Sequence, residues 1–259
     1  MRVLFVADVF GVPGRRAIEE RLPGLREELG VDFCIVNGEN IADGTGITKK
    51  LADRLLAAGA DVITLGNHTW RQQHTDEWIG TAERVVRPAN FSRFTPGRAL
   101  VVAPAVDGTP VAVINIMGKL FLDVATGPFE LIDELVDEAR RKTPVIIVDL
   151  HAEATSEKVA LARWLDGRVT AVIGTHTHVQ TNDARVQPGG TAALSDAGMT
   201  GPHDSVIGVQ AELAIRRMRT GLPTRFHPAE GGVRLEGVLV ECGSDGRATA
   251  IELVRVAHP

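Results

Sequence analysis

Short apolar runs alternate with amphipathic stretches along the first quarter of the chain. Uninterrupted apolar runs are typical of strands that are buried on both faces of a parallel sheet. The stretches between them have the period of helices, and Thr48 is placed to cap one of these helices. The predicted elements are strands at 3–7, 33–36 and 62–65 and helices at 15–29, with a break or kink at Pro23, and at 48–58. Strand, helix and strand in this order indicate βαβ units.

The pattern over the rest of the chain is more mixed. Strands are predicted at 100–103, 111–116, 145–149 and 169–173, and helices at 130–141, 156–165 and 205–220. Two final runs, at 235–242 and 248–256, flank the sequence Gly243-Ser244-Asp245-Gly246, which predicts a hairpin turn with a glycine at positive φ. No repeat or linker interrupts this order. We therefore expect one α/β domain over residues 1–259, with the hairpin at a sheet edge.

Polar residues follow five of the predicted strands at their C-terminal ends. They are Asp8, Glu39, Asn67, His151, His176 and His178. In open α/β sheets, ligands bind outside the carboxyl ends of the strands, so these side chains would converge on one site. Each alone has an ordinary explanation as a solvated turn, a helix cap or a hydrogen-bonded histidine. Together, oxygen and imidazole donors without cysteine favour iron, manganese or zinc in a site that is not a structural thiolate site.

The pair His176 and His178 is the stronger part of this pattern. On an extended segment, residues two apart point to the same side, so both rings would face one cavity. A polar loop is the alternative interpretation of the pair.

Composition and charge restrict the partners and the compartment. The 28 Lys and Arg against 33 Asp and Glu give a formal charge of −5, which argues against stable binding of nucleic-acid polymers. No apolar stretch reaches the roughly 18 residues of a membrane span, and the apolar start is too short for a signal peptide. We therefore expect a cytoplasmic protein without membrane attachment. Cys34 and Cys242 lie in apolar runs and are expected to be buried free thiols, with a disulfide as the alternative.

The order of the polar motifs resembles the calcineurin-like metallophosphoesterases. That superfamily usually shows D-x-H, G-D-x-x-D, G-N-H followed by Asp or Glu, a lone histidine and G-H-x-H. The corresponding residues here are Asp8, Gly38-Glu39-Asn40, Gly66-Asn67-His68, His151 and His176-Thr177-His178. Phe10 replaces the first histidine, Glu39-Asn40 replace a bridging aspartate, and Thr69 follows G-N-H. These departures, together with blocks at 36–40, 43–46, 174–181 and 195–201, resemble the YmdB-like branch of bacterial cyclic-nucleotide phosphodiesterases.

The resemblance implies a four-layer αββα fold, in which helices flank two packed mixed sheets, and a centre with two metal ions, iron or manganese. The implied ligands of the first metal are Asp8, Glu39, Asn40 and His178, and those of the second are Glu39, Asn67, His151 and His176. Glu39 would bridge the two metals. Asn40 is the proposed replacement for the imidazole that Phe10 removes. The resemblance also implies a homo-oligomer.

The activity implied by the resemblance is hydrolysis of cyclic nucleotides, with the 2′,3′-cyclic class favoured and the 3′,5′-cyclic class as an extension. A hydroxide held between the metals would attack the phosphorus, and His68 would protonate the leaving alkoxide. One alternative is a phosphomonoesterase or nucleotidase with the same metals. The other is a metal-bound nucleotide sensor or scaffold, against which the retained His68 argues, because metal binding alone does not require it.

No substrate-binding residue is assigned by the sequence. Arg15 and Arg16 follow the first strand and could contact a phosphate, but a solvated pair at the start of a helix is favoured. The loop at 43–46 is either a backbone wall of the pocket or a plain turn. The block at 195–201 and the neighbouring His203 are further candidates for residues near the pocket.

Overall fold

A computed structural model describes residues 1–258 of the chain. The strands are β1 (Arg2–Val6), β2 (Asp8–Val9), β3 (Phe33–Asn37), β4 (Val62–Thr64), β5 (Val85–Val86), β6 (Leu100–Pro104), β7 (Pro110–Met117), β8 (Ile146–His151), β9 (Ala171–Thr175), β10 (Arg185–Val186), β11 (Ala192–Leu194), β12 (Met199–Pro202), β13 (Val233–Cys242) and β14 (Ala248–Ala257). The helices are α1 (Gly11–Glu28), α2 (Lys49–Ala57), α3 (Thr75–Ile79), α4 (Pro128–Arg140), α5 (Thr155–Trp164) and α6 (Ala211–Thr220). Within the described residues, none of these helices has the length and apolarity needed to cross a membrane.

The strands form two mixed sheets. The first has the order β2-β12-β13-β1-β3-β4-β5, and the second has the order β10-β11-β9-β8-β7-β6. Strands β1, β3, β4 and β5 run parallel in the first sheet, and β7, β8, β9 and β11 run parallel in the second. Each sheet therefore gathers the residues that follow its parallel strands along one edge. The predicted C-terminal hairpin is confirmed, since β14 pairs with β13 outside the main path of the first sheet.

Three apolar layers hold the sheets and helices together. Between the sheets lie buried side chains from both, such as Phe5 and Ile35 from the first and Val113 and Ile147 from the second. The outer face of the first sheet packs against α1, α2 and α3, and that of the second packs against α4 and α5. The predicted four-layer α/β fold is confirmed. It follows from the all-apolar strands, which need cover on both faces.

The first helix differs from its prediction. It begins at Gly11 instead of residue 15, and Pro23 lies within it without ending it. Pro13 lies in the first turn, where a helix has no backbone hydrogen bond for proline to remove. Gly14 packs so closely on the carbonyl oxygen of Thr200 that a Cβ would not fit. The two glycines around Pro13 therefore belong to the helix, and Gly14 allows its close packing on a strand.

The helix predicted over 205–220 begins only at Ala211, as α6. Residues 206–209 instead form a tight reversal, in which Val206 and Val209 exchange two backbone hydrogen bonds of 2.9 and 3.0 Å. The central residues Ile207 and Gly208 have φ of +47° and +101°, which an α-helix cannot contain. The prediction of helix over these residues was wrong because the helical period of the side chains does not report the backbone angles.

Both cysteines are buried free thiols, as predicted. Cys34 lies in β3 and Cys242 ends β13. Burial raises the pKa of the Cys34 thiol to about 12, so its thiolate is scarce at neutral pH. Neither cysteine is among the residues of the site described below.

Candidate metal centre

The residues that follow the parallel strands of both sheets meet in one buried cluster. The first sheet contributes Asp8 after β1, Glu39 and Asn40 after β3, and Asn67 and His68 after β4, and the second contributes His151 at the end of β8 and His176 and His178 after β9. Asp8, Glu39 and His151 have no exposed surface. The structure thus brings together every residue that the sequence predicted for the site.

His151 lies at the centre of one group of donor atoms. Its Nε2 atom is 2.9 Å from Oδ1 of Asn67, 3.1 Å from Nδ1 of His176 and 3.2 Å from Oε1 of Glu39. Glu39, His151 and His176 each offer a ligand atom, and these three atoms lie within 4.8 Å of one another. The group consists of the residues predicted to hold the second metal, and its donor atoms are close enough to share one cation.

Hydrogen bonds on the outer sides of the two rings occupy one nitrogen of each ring and leave the other to face the cluster. Thr175 donates its hydroxyl hydrogen to Oδ1 of Asp149 (2.7 Å), so it accepts the bond from Nδ1 of His151 (2.9 Å). Nε2 of His176 donates to Oε2 of Glu153 (3.0 Å). His151 Nε2 and His176 Nδ1 therefore face each other inside the cluster, where both would become ligand atoms once a metal ion takes the place of the proton between them. Acceptor atoms packed this closely around one point repel each other unless a proton or a metal cation lies between them, so the group fits a metal ion.

The carboxylates of the cluster are fully removed from water. Burial raises the pKa of Asp8 well above its ordinary value. Its Oδ2 accepts from the backbone N–H of His176 (3.0 Å), whereas its buried Oδ1 has no partner within the described chain. Burial alone would raise the pKa of Glu39 too, but His151 and His68 hold it well below its usual range. Burial lowers the pKa of His151, yet the carboxylates, Glu39 foremost, raise it overall to about 9. A bound cation would give the unpaired Oδ1 of Asp8 a partner and would neutralise the negative charge of the carboxylates.

Asn40 and His178 form a second group beside the first. Nδ2 of Asn40 donates to Nε2 of His178 (3.1 Å) and to Oε1 of Glu39 (3.1 Å). Nδ1 of His178 donates to the carbonyl oxygen of Ile207 (2.9 Å), so its Nε2 carries the lone pair. Asn40 thus presents its amide nitrogen, and not its oxygen, to the other two residues. Ligation by Asn40 stays a prediction that would need the amide turned over.

His68 lies at the border between the cluster and solvent, with 25% of its side chain exposed. Its backbone N–H donates to Oε2 of Glu39 (3.0 Å), and its Nδ1 donates to Oδ1 of Asn40 (2.7 Å). Nε2 is therefore the ring atom left for other partners. Burial lowers the pKa of His68, although Glu39 opposes the shift, so the imidazolium gives up its proton readily.

The two histidines after β9 do not lie on an extended segment, and that prediction was wrong. His176 and His178 have φ of +95° and +63°, so the chain bends directly after the strand. Asp196 holds the bend: its Oδ2 accepts from the backbone N–H (3.0 Å) and the hydroxyl (2.6 Å) of Thr177 and from Nζ of Lys158 (2.8 Å). Both rings nevertheless line one cavity, as predicted.

That cavity, a cleft of about 460 Å³, opens onto the cluster. Glu39, Asn40, His68, His176 and His178 line its base, and Phe10, Asp43, Gly44, Thr45, Ile207, Val209, Phe226, His227 and Pro228 line its walls. The loop at 43–46 therefore walls the pocket. Arg15, Arg16, His203 and the block at 195–201 do not line the cleft. Within that block, Asp196 instead supports the site from behind.

Phe10 occupies the position where the wider superfamily has an imidazole. Its ring packs edge-on against His178, with ring centroids 5.7 Å apart. A Cβ on Gly44 or on Gly208 would lie 2.7 Å from the ring, so both positions require glycine. Phe10 thus provides an apolar ring in place of a ligand atom, and this ring packs between the loops that contain Gly44 and Gly208.

Several residues that orient the donor atoms were given no role by sequence reasoning. They are Asp149, Glu153, Lys158, Thr175 and Asp196. A signal existed for Asp149, because a charged residue in an apolar strand is rarely buried without a partner. Lys158 gave a weaker signal, on a helix that also has a buried face. Thr175 and Asp196 lie in the blocks at 174–181 and 195–201, whose resemblance to the family was the signal, whereas Glu153 gave none because its residue type is ordinary at such a position.

Comparisons with known proteins bear on this site. A family model described as YmdB-like protein matches residues 4–254. The chain belongs to the YmdB-like family. This YmdB-like protein is 46% identical over 256 residues to a Bacillus subtilis protein named 2′,3′-cyclic-nucleotide 2′-phosphodiesterase, covering 99% of this chain and 96% of that protein.

Solved structures agree with this YmdB-like assignment. A hypothetical protein from Thermus thermophilus superposes with a TM-score of 0.94 at 40% identity and covers both chains completely. A novel phosphatase from Mycoplasma pneumoniae superposes with a TM-score of 0.91 at 34% identity, covering 99% of this chain and 93% of that one. A 5′-nucleotidase precursor from T. thermophilus, at 14% identity and a TM-score of 0.60, shares the fold alone. The predicted family, fold and enzyme class, a metallophosphoesterase, are confirmed.

Proposed function

We propose that this YmdB-like protein is a dinuclear metal-dependent phosphodiesterase that hydrolyses 2′,3′-cyclic nucleotides. The observation that carries the proposal is the group around His151, in which Oδ1 of Asn67, Nδ1 of His176 and Oε1 of Glu39 all lie within 3.2 Å of its Nε2 atom, as ligands of one cation would. The name of the B. subtilis relative supports the substrate class. Activity on 3′,5′-cyclic nucleotides is an extension that the same assay tests.

The ligands divide into two groups that share Glu39. One metal would be held by Glu39, Asn67, His151 and His176, and the other by Asp8, Glu39 and His178, with Asn40 as a further candidate. Oε1 of Glu39 supports its bridging role, because it contacts Nε2 of His151 (3.2 Å) in one group and Nδ2 of Asn40 (3.1 Å) in the other. Carboxylate oxygens mixed with imidazoles suit iron, manganese or zinc, and the resemblance favours iron and manganese among them.

Metal ions in this site would supply positive charge for the phosphodiester and lower the pKa of a bound water. The chain supplies the proton for the leaving oxygen. His68 is anchored through Nδ1 on Asn40, which leaves Nε2 to carry that proton. The lowered pKa of His68 favours donation of the proton, although it reduces the protonated fraction at neutral pH. General acid catalysis of this kind contributes roughly 10²–10⁴-fold.

The metal requirement is tested by metal analysis combined with turnover of 2′,3′-cyclic AMP in added manganese or iron. We expect two metals per chain and turnover in the wild type, and loss of one or both metals and of turnover in Glu39→Gln. The exposed Glu83→Gln is the matched control and should behave as wild type. Fewer than two metals at saturation, with no hydrolysis, would overturn the proposal.

The role of His68 is tested with two leaving groups. His68→Ala should keep both metals and lose roughly 10²–10⁴-fold in turnover of 2′,3′-cyclic AMP. It should lose far less on bis-p-nitrophenyl phosphate, because p-nitrophenolate leaves without a proton. His74→Ala, at a histidine whose side chain is 70% exposed, is the control. Equal losses on both substrates would contradict general acid catalysis by His68.

A phosphomonoesterase is the second candidate function, favoured by the M. pneumoniae relative whose solved structure is described as a phosphatase. Both activities would use the same metals and differ in the number of ester groups on the phosphorus. Comparing kcat/KM for bis-p-nitrophenyl phosphate and p-nitrophenyl phosphate separates them. A higher value for the monoester would replace the phosphodiesterase proposal.

A further inference from the structure

The reversal at 206–209 holds a residue in an unfavourable backbone conformation. Ile207 and Gly208 both have positive φ, +47° and +101°, as in a type I′ turn. Asparagine and glycine are usual there, whereas a β-branched side chain is crowded against its own backbone. Strain of this kind persists where the surrounding structure enforces it, and it is concentrated at functional sites.

The main chain and the side chain of Ile207 have different neighbours. The carbonyl oxygen accepts the hydrogen bond from Nδ1 of His178 (2.9 Å). Glycine or asparagine would offer the same carbonyl with less strain, so this bond does not explain an isoleucine. Ile207 is 52% exposed, and it lines the cleft above the candidate metal centre. An apolar side chain held open to the cleft, at a strained position, is the feature that needs an explanation.

Ile207 is part of an apolar wall that also contains Val209 and Phe226. Phe226 is 39% exposed, and the guanidinium of Arg217 lies 5.2 Å from the centroid of its ring. This apolar wall flanks the cleft on the side of His178, because the carbonyl of Ile207 holds that ring.

Backbone hydrogen bonds connect the two segments of the apolar wall. Gln210 donates from its backbone N–H to the carbonyl of His227 (3.0 Å), and Ala229 donates to the carbonyl of Gly208 (2.9 Å). The segment that carries Phe226 is therefore attached to the reversal that carries Ile207. Ligands can meet this surface without first ordering it, which lowers the entropic cost of binding.

We propose, on the basis of the function proposed above, that the apolar wall binds the nucleobase of the substrate and that Ile207 and Phe226 determine specificity. A cyclic nucleotide joins a phosphate to a flat base. When the phosphate lies at the cluster, the base can contact the apolar wall in the same cleft. Bases stack on aromatic and apolar side chains largely independently of sequence. Because the binding free energy grows with the apolar area buried, purines, which are larger, should bind better than pyrimidines.

The test measures kcat and KM for 2′,3′-cyclic AMP, 2′,3′-cyclic CMP and methyl riboside 2′,3′-cyclic phosphate, which has the reacting ring but no base. In Ile207→Gly and Phe226→Ala, we expect KM for the purine to rise by roughly 5- to 100-fold. The rise should be smaller for the pyrimidine and absent for the baseless ester, with kcat nearly constant. Ile207→Gly retains the carbonyl that binds His178, so its metal content should equal that of the wild type.

Two further variants keep the outcome decisive. Met218 is 77% exposed on α6 and lies outside the cleft, so Met218→Ala should leave all three KM values unchanged. Ile207→Asn suits a type I′ turn and replaces Ile207→Gly if that variant fails to fold. An unchanged KM for the purine, or an equal rise for the baseless ester, overturns the base site while the proposed function stands. Absence of turnover of all three esters by the wild type overturns both.

Discussion

Individual protons decide what the candidate metal centre can bind. Thr175 and Glu153 accept the outer ring protons of His151 and His176, so the other nitrogen of each ring faces the cluster. Thr175 in turn donates to Asp149, which is buried in the middle of the second sheet. Residues that never touch a metal therefore control the form in which the imidazoles are presented. Supporting contacts of this kind usually change metal affinity by roughly 10- to 100-fold.

Replacing Thr175 by valine tests this dependence. Thr175→Val preserves the shape of the side chain but removes the hydroxyl between His151 and Asp149, so the ring is free to turn or to change tautomer. We expect roughly 10- to 100-fold weaker binding of manganese, measured by calorimetric titration. Thr175→Ser should restore most of the affinity, and Thr249→Val on the exposed strand β14 should leave it unchanged. Wild-type affinity in Thr175→Val would show that the hydroxyl does not orient the ring.

At the scale of secondary-structure elements, the bend after β9 depends on a contact from α5. Lys158 and Asp196 form an ion pair of 2.8 Å, with side chains only 3% and 1% exposed. Asp196 also accepts from Thr177, between the two histidines, so α5 and the segment before β12 together shape the bend. A carboxylate buried in this way depends on its cation, because water cannot replace the lost partner.

Lys158→Met leaves the Asp196 carboxylate buried without its ion-pair partner. We expect the free energy of unfolding of the metal-free protein to fall by about 3–5 kcal/mol, measured by urea denaturation. Lys142→Met removes an ion pair with Glu138 whose side chains are 47% and 46% exposed, and it should change stability little. Similar effects of the two substitutions would contradict the assigned importance of the buried pair.

For the whole molecule, the cluster acts as a connection between the two sheets. Asp8, Glu39 and Asn67 come from the first sheet, and His151 and His176 come from the second. A metal held by both groups can bind only when the sheets are packed together. Metal binding and folding are therefore coupled. Removing the metal should lower the free energy of unfolding by mass action.

Metal addition should accordingly raise the melting temperature. At a free metal concentration of about 100 times Kd, one site adds about 2.7 kcal/mol, which corresponds to roughly 5–10 °C for a chain of this size. Differential scanning calorimetry with manganese, followed by chelation, measures this shift and its reversal. The shift should be much smaller in Asp8→Asn. A melting temperature that does not respond to metal would argue against ligation from both sheets.

Sequence patterns predicted strands correctly where the apolar runs were long, and they did not predict the strands whose apolar runs were short. The apolar runs that became β1, β3 and β4 were recognised, and the order of polar motifs led to the family. The strands β2, β5 and β10 span two residues each, which is too short for any period to register. The reversal at 206–209 was missed because its backbone contradicts the usual preference of isoleucine.

The sequence by itself determined the residue types of the site and their places at the strand ends, because strand period and motif spacing are local properties. Only the tertiary structure decided which atoms face one another. The hydrogen bond from His176 to Asp8 joins residues 168 positions apart, and that from His151 to Thr175 joins residues 24 apart in neighbouring strands. Ring tautomers, the amide orientation of Asn40 and the strained Ile207 in the cleft all depend on such contacts. They arise when the two sheets pack, and no local pattern encodes them.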